Sequence, residues 1–287
     1  MAGVVALGAV ASFAAALPAT AALPDVKLPP AGGQFDYQIG GPYDPDGTVK
    51  IVSRDRTAPP ADVEYNICYI NAMQTQPDEE NNPNPELVGT TAWYLKYHND
   101  LVLKGKDGKP VMDGEWGEAV LDIRTAAKQK ALLEVQKPWI DGCKASKYDA
   151  IEPDNLESYS HSEGAFPFAR NREYMVEFVK YARGLGLAVA QKNTVEEYGA
   201  DGKNVVGFSF AIAEQCGTYE ECPAYREVYG NLYYEIEYFE DPDDMEGVGF
   251  TRECEDHGTT TSIIRRDKMV TPRGHDDYKY VLCPNHP

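Results

Sequence analysis

A chain of 287 residues can bury a large core, and 43% hydrophobic with 25% charged residues is ordinary globular composition. The charge is not ordinary: 27 Lys and Arg against 46 Asp and Glu leave −19. Such a surface repels nucleic acid and anionic membranes, so it excludes those partners and favours either extracellular solubility or a cationic one.

Residues 1–23 carry no charge and are rich in Ala, Val and Leu, ending in small residues (Ala19-Thr20-Ala21-Ala22). This is the pattern of a secretory h-region without its basic n-region, expected either to be removed as a signal peptide or to stay as a signal anchor. Both readings mean export, to the medium or to the cell surface. No other run is apolar enough to cross a membrane, so no stable membrane contact is expected unless the anchor stays. A Pro/Ala/Gly-rich linker around Leu28–Gly33 completes a leader of residues 1–34, read without structure. Residues 35–287 are read as one domain, expected to be a monomer.

From Phe35 onward, short β-rich runs alternate with helical patterns. Strands are predicted at Phe35–Gly41, Tyr65–Asn71, Ala119–Arg124, Ala150–Asn155, Leu187–Asn193, Gly207–Glu214, Leu232–Tyr238 and Thr261–Asp267. Helices are predicted over Thr125–Trp139 and Asn171–Arg183, the second stopped by Gly184. Eight strands alternating with helices fit an α/β fold of one closed (β/α)8 TIM barrel. An open doubly wound sheet would want a glycine-rich phosphate loop after the first strand, where Gly40-Gly41 runs into Pro42 instead. Gln74–Pro85 is expected to be a long surface loop.

Six cysteines with export imply disulfides. Fifteen pairings are formally possible. The preferred one pins the loop after Glu214 with Cys216–Cys222 and brackets the last strand with Cys254–Cys283, leaving Cys68–Cys143. Zinc is disfavoured because no CxxC pair occurs and the five His are scattered. No metal and no cofactor are expected.

Every predicted strand ends in polar residues: Asp36 and Gln38; Tyr69 and Asn71; Asp122 and Arg124; Glu152, Asp154 and Asn155; Lys192 and Asn193; Glu214 and Gln215; Glu237; Arg265. In a barrel these endings share one mouth, where such folds carry their chemistry. A Gly-x-Ser-x-Gly elbow is missing and the endings hold no His, which removes acyl transfer by serine and metal hydrolysis. Carboxylate chemistry remains, and the pair Asp154 and Glu214, on the fourth and sixth strands, suits glycosidic cleavage by an acid and an anion facing each other across a sugar ring. Retention and inversion both stay open here. Tyr37, Tyr69, Trp93, Trp116 and Tyr238 stand near strand ends, where sugar faces stack on rings.

The segments Phe35-Asp-Tyr-Gln-Ile-Gly-Gly, Ile67-Cys-Tyr-Ile-Asn, Gly117-Glu-Ala-Val-Leu-Asp-Ile-Arg, Ile151-Glu-Pro-Asp-Asn, Gln191-Lys-Asn and Ala213-Glu-Gln-Cys with Glu221-Cys222 together resemble glycoside hydrolase family 114, the endo-α-1,4-polygalactosaminidases. The likeness spans roughly residues 33–283. It departs at Tyr37-Gln38, where the family has Trp-Gln, and at Met73–Asp78, where it has Ser-Glu-Asp-Trp-Arg-Pro-Asp. The resemblance implies a (β/α)8 barrel that hydrolyses partly deacetylated poly-α-1,4-galactosamine, a cationic polysaccharide, with Asp154 and Glu214 as catalytic carboxylates. It further implies a groove lined by Asp36, Gln38, Asn71, Asp122, Glu152, Asn155, Lys192 and Gln215. Asp154 is expected to serve as nucleophile or charge stabiliser, Glu214 as general acid/base, and Lys192 to keep a neighbouring carboxylate ionised. The alternatives are a sugar-binding barrel without turnover and a hydrolase of another α-linked polysaccharide.

Overall fold

The computed structural model describes residues 24–79, 81–284 and 286; the leader expected over residues 1–23 lies outside them. Eight parallel strands follow one another around a curled sheet: β1 (Phe35–Gln38), β2 (Ile51–Asp55), β3 (Tyr65–Asn71), β6 (Ala150–Asp154), β7 (Ala188–Lys192), β8 (Phe210–Glu214), β9 (Tyr233–Tyr238) and β10 (Ser262–Arg266). A short β11 (Tyr280–Leu282) adds antiparallel to β10, and β4 (Met112–Asp113) with β5 (Glu118–Ala119) forms a separate hairpin. Helices α1 (Thr91–Tyr97), α2 (Ala126–Ala145), α3 (Phe168–Gly184), α4 (Val195–Asp201), α5 (Cys222–Tyr229) and α6 (Val248–His257) cover the outside.

Alternation along each strand divides the core in two. Inward positions hold Phe35, Ile51, Tyr65, Ile67, Ala150, Ala188, Ala190, Phe210, Ile212, Tyr234 and Ile264. Small alanines on β6 and β7 make room for the Tyr65 and Phe210 rings, which meet edge to face at 6.2 Å, so the base of the barrel is filled. Outward positions such as Ile70, Ile151, Val189 and Ala213 pack under Leu132 and Ile140 of α2 and Phe178 of α3. Strands apolar on both faces are what burial on both sides demands.

The barrel is a TIM-type α/β fold with an economical first third. The connections β1–β2 and β2–β3 contain no helix among the described residues; Pro42, Pro45, Pro59 and Pro60 punctuate them. The seam between β1 and β10 is bridged by side chains: Ser262 Oγ accepts from Phe35 N (3.0 Å), Arg266 donates to Tyr37 O, and Tyr280 OH donates to Phe35 O (2.9 Å).

Two strand expectations need correction. Ala119–Arg124 is not a barrel strand: its start pairs in the hairpin, and Val120 and Leu121 bridge singly to Gln74 and Val102. Its apolar residues are fully buried beneath loops, which mimics a strand pattern. The barrel's true second strand, Ile51–Asp55, carries little strand signal in the sequence, because Ile51-Val52 gives way to Ser53 and then Arg54, a buried guanidinium paired with Gln38, Tyr43 and Pro59 oxygens. One gain and one loss cancel, so Asp154 and Glu214 remain on the fourth and sixth barrel strands.

The loop expectation also shifts. Gln74 and Thr75 are fully buried, and only the later part of Gln74–Pro85 meets solvent. Residues 24–34 have no regular structure, yet they lie packed across the barrel's base: Tyr65 OH donates to Lys27 O and Tyr234 OH to Pro30 O, both at 2.9 Å. The cysteines pair as preferred. Cys68–Cys143 ties β3 to α2, Cys216–Cys222 closes the turn after β8, and Cys254–Cys283 ties α6 to the tail. Among the described residues no helix is long and apolar enough to cross a membrane.

Candidate active site

Near the C-terminal ends of the strands the inward positions change from apolar to polar: Ser53, Tyr69, Glu152, Asp154, Lys192, Glu214 and Tyr238. Three consecutive strands leave this layer through the left-handed region at a non-glycine residue, Asn155 (φ 64), Asn193 (φ 51) and Gln215 (φ 61). Asn tolerates that conformation and Gln does so at a cost of order 1 kcal/mol. The repeated kink turns the Asn155, Asn193 and Gln215 side chains, which strict alternation would send outward, into the mouth.

Lys192 is the hub. Its ammonium, 1% exposed, lies 3.3 Å from Glu152 Oε1, 3.3 Å from Asp154 Oδ1 and 3.2 Å from Glu214 Oε2, and donates to Tyr37 OH at 2.9 Å. Burial opposes its charge, but Asp154, Glu214 and Glu152 outweigh that and raise it well above the ordinary lysine value. The legs of 3.3 Å and 3.2 Å through Nζ place Asp154 Oδ1 and Glu214 Oε2 at most 6.5 Å apart.

Each of the two is held from its own side. Tyr69 OH donates to Asp154 Oδ2 at 2.7 Å. Asn193 Nδ2 donates to Glu214 Oε2 at 2.9 Å and Tyr238 OH to Oε1. Glu152 sits below, fully buried, accepting from Tyr37 OH (2.9 Å) and Ser53 Oγ. Burial raises the Glu152 carboxyl, with Lys192 and the Ser53 bond opposing.

Above the pair opens a cleft of about 470 Å³, lined by seven carboxylates (Asp55, Asp113, Glu115, Glu118, Asp154, Glu157, Glu214) against Lys192, Lys268 and His161. Burial, then Asp154 and Asp113, push Glu118 up to about 8, although Asn155 Nδ2 donates to it at 3.0 Å. Burial and Asp154 push Glu157 up to about 7, although Thr194 Oγ1 donates to it at 2.9 Å.

Of the residues predicted from sequence, Tyr69, Trp116, Asp154, Asn155, Lys192, Asn193, Glu214, Gln215 and Tyr238 line this cleft. Glu152 supports its floor, and Asn71 stands behind, accepting from Asn155 Nδ2 at 2.8 Å. The others are elsewhere. Asp36 and Gln38 point out of β1, because Phe35 and Tyr37 take the inward positions; Asp36 accepts from Gln38 Nε2 (2.8 Å) and Tyr43 OH (2.6 Å). Asp122 and Arg124 pair with each other on the outer side (2.8 Å), a consequence of the misread strand. Glu237 points outward from β9 and accepts from Gly217 N (2.8 Å), bracing the turn after Glu214.

Ser53, Asp55, Asp113, Glu115, Glu118, Glu157, His161 and Lys268 were not anticipated. For Glu118 the signal was present in Gly117-Glu-Ala-Val-Leu-Asp-Ile-Arg: read as a hairpin, that segment puts its start, not its Asp122, at the mouth. A metal fits poorly. Among the described residues the atoms that cluster closely enough for a shared ion are those of Cys216, Cys222 and Glu235, and the disulfide removes both thiolates.

The sequence matches the family described as glycoside-hydrolase family GH114 over residues 15–286. The fold resembles the crystal structure of Aspergillus fumigatus Ega3 in complex with galactosamine, with a TM-score of 0.63 and 18% identity over 90% of this chain and 99% of that one. It also resembles the glycoside hydrolase domain of PelA from Pseudomonas aeruginosa, both as such and as a point variant, with a TM-score of 0.55 and 12% identity over 86% of this chain and 98% of that one. No curated protein matches the sequence.

Proposed function

Because the chain belongs to glycoside-hydrolase family GH114 and is therefore a glycosidase, we propose that it cleaves α-1,4-linked galactosamine polymer internally, with Asp154 and Glu214 as the reacting pair. The observation that carries this is the sharing of one buried ammonium by two cleft-facing carboxylates from the fourth and sixth barrel strands. A limit of 6.5 Å between their nearest oxygens favours double displacement, which uses carboxyls about 5–5.5 Å apart, over the wider 6.5–9.5 Å of water-inserting inversion.

Asp154, held by Lys192 and Tyr69, attacks the anomeric carbon as Glu214 gives its proton to the leaving glycosidic oxygen. Three carboxylates around one ammonium leave excess negative charge, which favours one bound proton in the cluster. Glu214 reaches the cleft and can supply it. Once Asp154 is esterified, the ammonium is left to Glu152 and Glu214, which stabilises Glu214 as the base that activates the incoming water.

The substrate class rests on charge. Galactosamine units are ammonium ions near neutral pH, and even with Glu118 and Glu157 raised to about 8 and about 7 the cleft sets five further acidic side chains against two lysines in a chain of net charge −19. Ega3, similar in fold, is seen with galactosamine. Three disulfides accord with export to an oxidising compartment.

The test is to incubate the protein with deacetylated poly-α-1,4-galactosamine and size the products. Short oligomers are expected, with the α-anomer formed first, and Glu214→Gln should lower turnover by about 10²–10⁴-fold. Monomer alone would contradict internal cleavage, and intact polymer would reject the substrate.

A further inference from the structure

At the rim of the cleft a cation is already seated on a carboxylate and a ring. The turn of the β4–β5 hairpin presents Glu115 and Trp116, with Asp113 Oδ1 accepting the Glu115 backbone N–H at 2.9 Å. From the far side, Lys268 follows β10 and reaches across 153 positions of sequence to Glu115 Oε1 at 2.5 Å. Its ammonium stands 5.4 Å from the centre of the Trp116 ring. The backbone that carries it is fixed: Lys268 N donates to Glu240 Oε2 at 3.0 Å, and the Met269 and Val270 carbonyls lie against Gly40, where a Cβ would meet them at 2.7 Å and 2.5 Å. The Glu115 side chain is 60% exposed and Trp116 is 42% exposed, and both line the cleft with Lys268.

A primary ammonium resting on a carboxylate beside an indole is the contact that a 2-amino sugar would make through its own ammonium, with the sugar's apolar face available to the ring. We propose that Glu115 and Trp116 form an ammonium-recognising subsite at the rim of the cleft, which Lys268 fills in the free protein and yields when a deacetylated hexosamine unit arrives. The proposal deepens the reading of the cleft as a galactosamine-polymer site and rests on it. An exposed ion pair is weak, about 0–1 kcal/mol, so a flexible lysine there is readily exchanged for another ammonium. An N-acetylated unit offers no ammonium and leaves Lys268 in place. The rim thereby discriminates deacetylated from acetylated positions along the polymer.

The experiment is a double-mutant cycle on binding, read by calorimetry with an α-1,4-linked galactosamine hexamer and its fully N-acetylated counterpart on the Glu214→Gln protein. Binding is measured without turnover, so failure to hydrolyse polymer sinks the glycosidase reading separately. Lys268→Gln should tighten the deacetylated hexamer by about fivefold, and Glu115→Gln should weaken it by about the same factor, as exposed charge and cation–π contacts allow. In the Glu115→Gln background the gain from Lys268→Gln should vanish, because the seat it vacates is gone. The acetylated hexamer should ignore all three changes. An equal gain in both backgrounds would mean diffuse charge alone and overturn the subsite, as would no gain at all, an equal response of the acetylated hexamer, or binding of neither oligomer. Trp116→Ala, a turn residue with no buried partner to orphan, should weaken only the deacetylated hexamer, and serves if Glu115→Gln fails to fold.

Discussion

Asn193 grips Glu214 at both ends: its side-chain Oδ1 accepts the Glu214 backbone N–H at 2.8 Å, and its Nδ2 donates to Glu214 Oε2 at 2.9 Å. One amide, itself held in the left-handed region at φ 51, thus fixes both the end of β8 and the direction of the carboxylate. Asn193→Ala should lower kcat by about 10–100-fold with little change in KM, as displacement of a positioned reacting group does. Asn193→Asp should fall further, because it sets an anion against Glu214. A variant of either kind with wild-type kcat would remove Asn193 from the machinery.

Lys192→Met takes the ammonium out from among Glu152, Asp154 and Glu214. Leaving a fully buried Glu152 without its cation should destabilise the fold by about 3–5 kcal/mol, less whatever protonation relieves. The companion Lys192→Met/Glu152→Gln should recover much of that stability without recovering activity. Without the cation the remaining carboxylates take up protons more easily, so the acid limb of the kcat/KM profile should move to higher pH. An unmoved limb in a folded Lys192→Met protein would deny the ammonium its part in ionising the pair.

How much of this was legible depended on where packing wrote itself into the chain. Ile151-Glu-Pro-Asp-Asn and Ala213-Glu-Gln could be read because interior strands turn from apolar to polar only where they stop, and chain order equals strand order around the barrel. The Cys216–Cys222 spacing was equally local. The orientation of β1 was not legible. Asp36 and Gln38 have the look of mouth residues, but aromatic Phe35 and Tyr37 fill the interior, and among the described residues no helix covers the outer face, so a polar network of Arg54, Tyr43 and Arg266 forms there. Glu115 and Lys268 meet across 153 positions, and no periodicity within either segment encodes that meeting.

Stability should fall as pH rises from about 5 to 8. Burial, ahead of neighbouring carboxylates, raises Glu118 to about 8 and Glu157 to about 7, and burial with Asp244 raises Glu237 to about 7 against the Thr218 and Gly217 bonds. In the unfolded chain a glutamate titrates near about 4.3. Between these values the folded state binds more protons than the unfolded one, so the contribution is whole below the unfolded value and is lost as pH climbs through 7 and 8. Thermal midpoints measured at pH 5, 6, 7 and 8 should decline, and Glu118→Gln, which keeps the neutral form, should flatten the decline. A midpoint that rises over this range would show that these acids are ionised in the fold.

Salt should act on capture and leave the chemistry alone. The rim carboxylates Asp55 and Glu115 reach solvent across the cleft and attract a polycation over distances comparable to the Debye length, about 10 Å at 0.1 M and 3 Å at 1 M salt. Asp154 and Glu214 instead are 19% and 21% exposed and contact a lysine that is 1% exposed, so salt screens their interaction much less. KM for deacetylated polymer should therefore rise steeply between 0.05 and 1 M NaCl as kcat stays nearly level, and for a neutral, N-acetylated polymer both should hold. A KM independent of salt would mean that the acidic cleft does not recruit its substrate by charge. A collapse of kcat at constant KM would mean that solvent ions penetrate to Lys192, contrary to its burial.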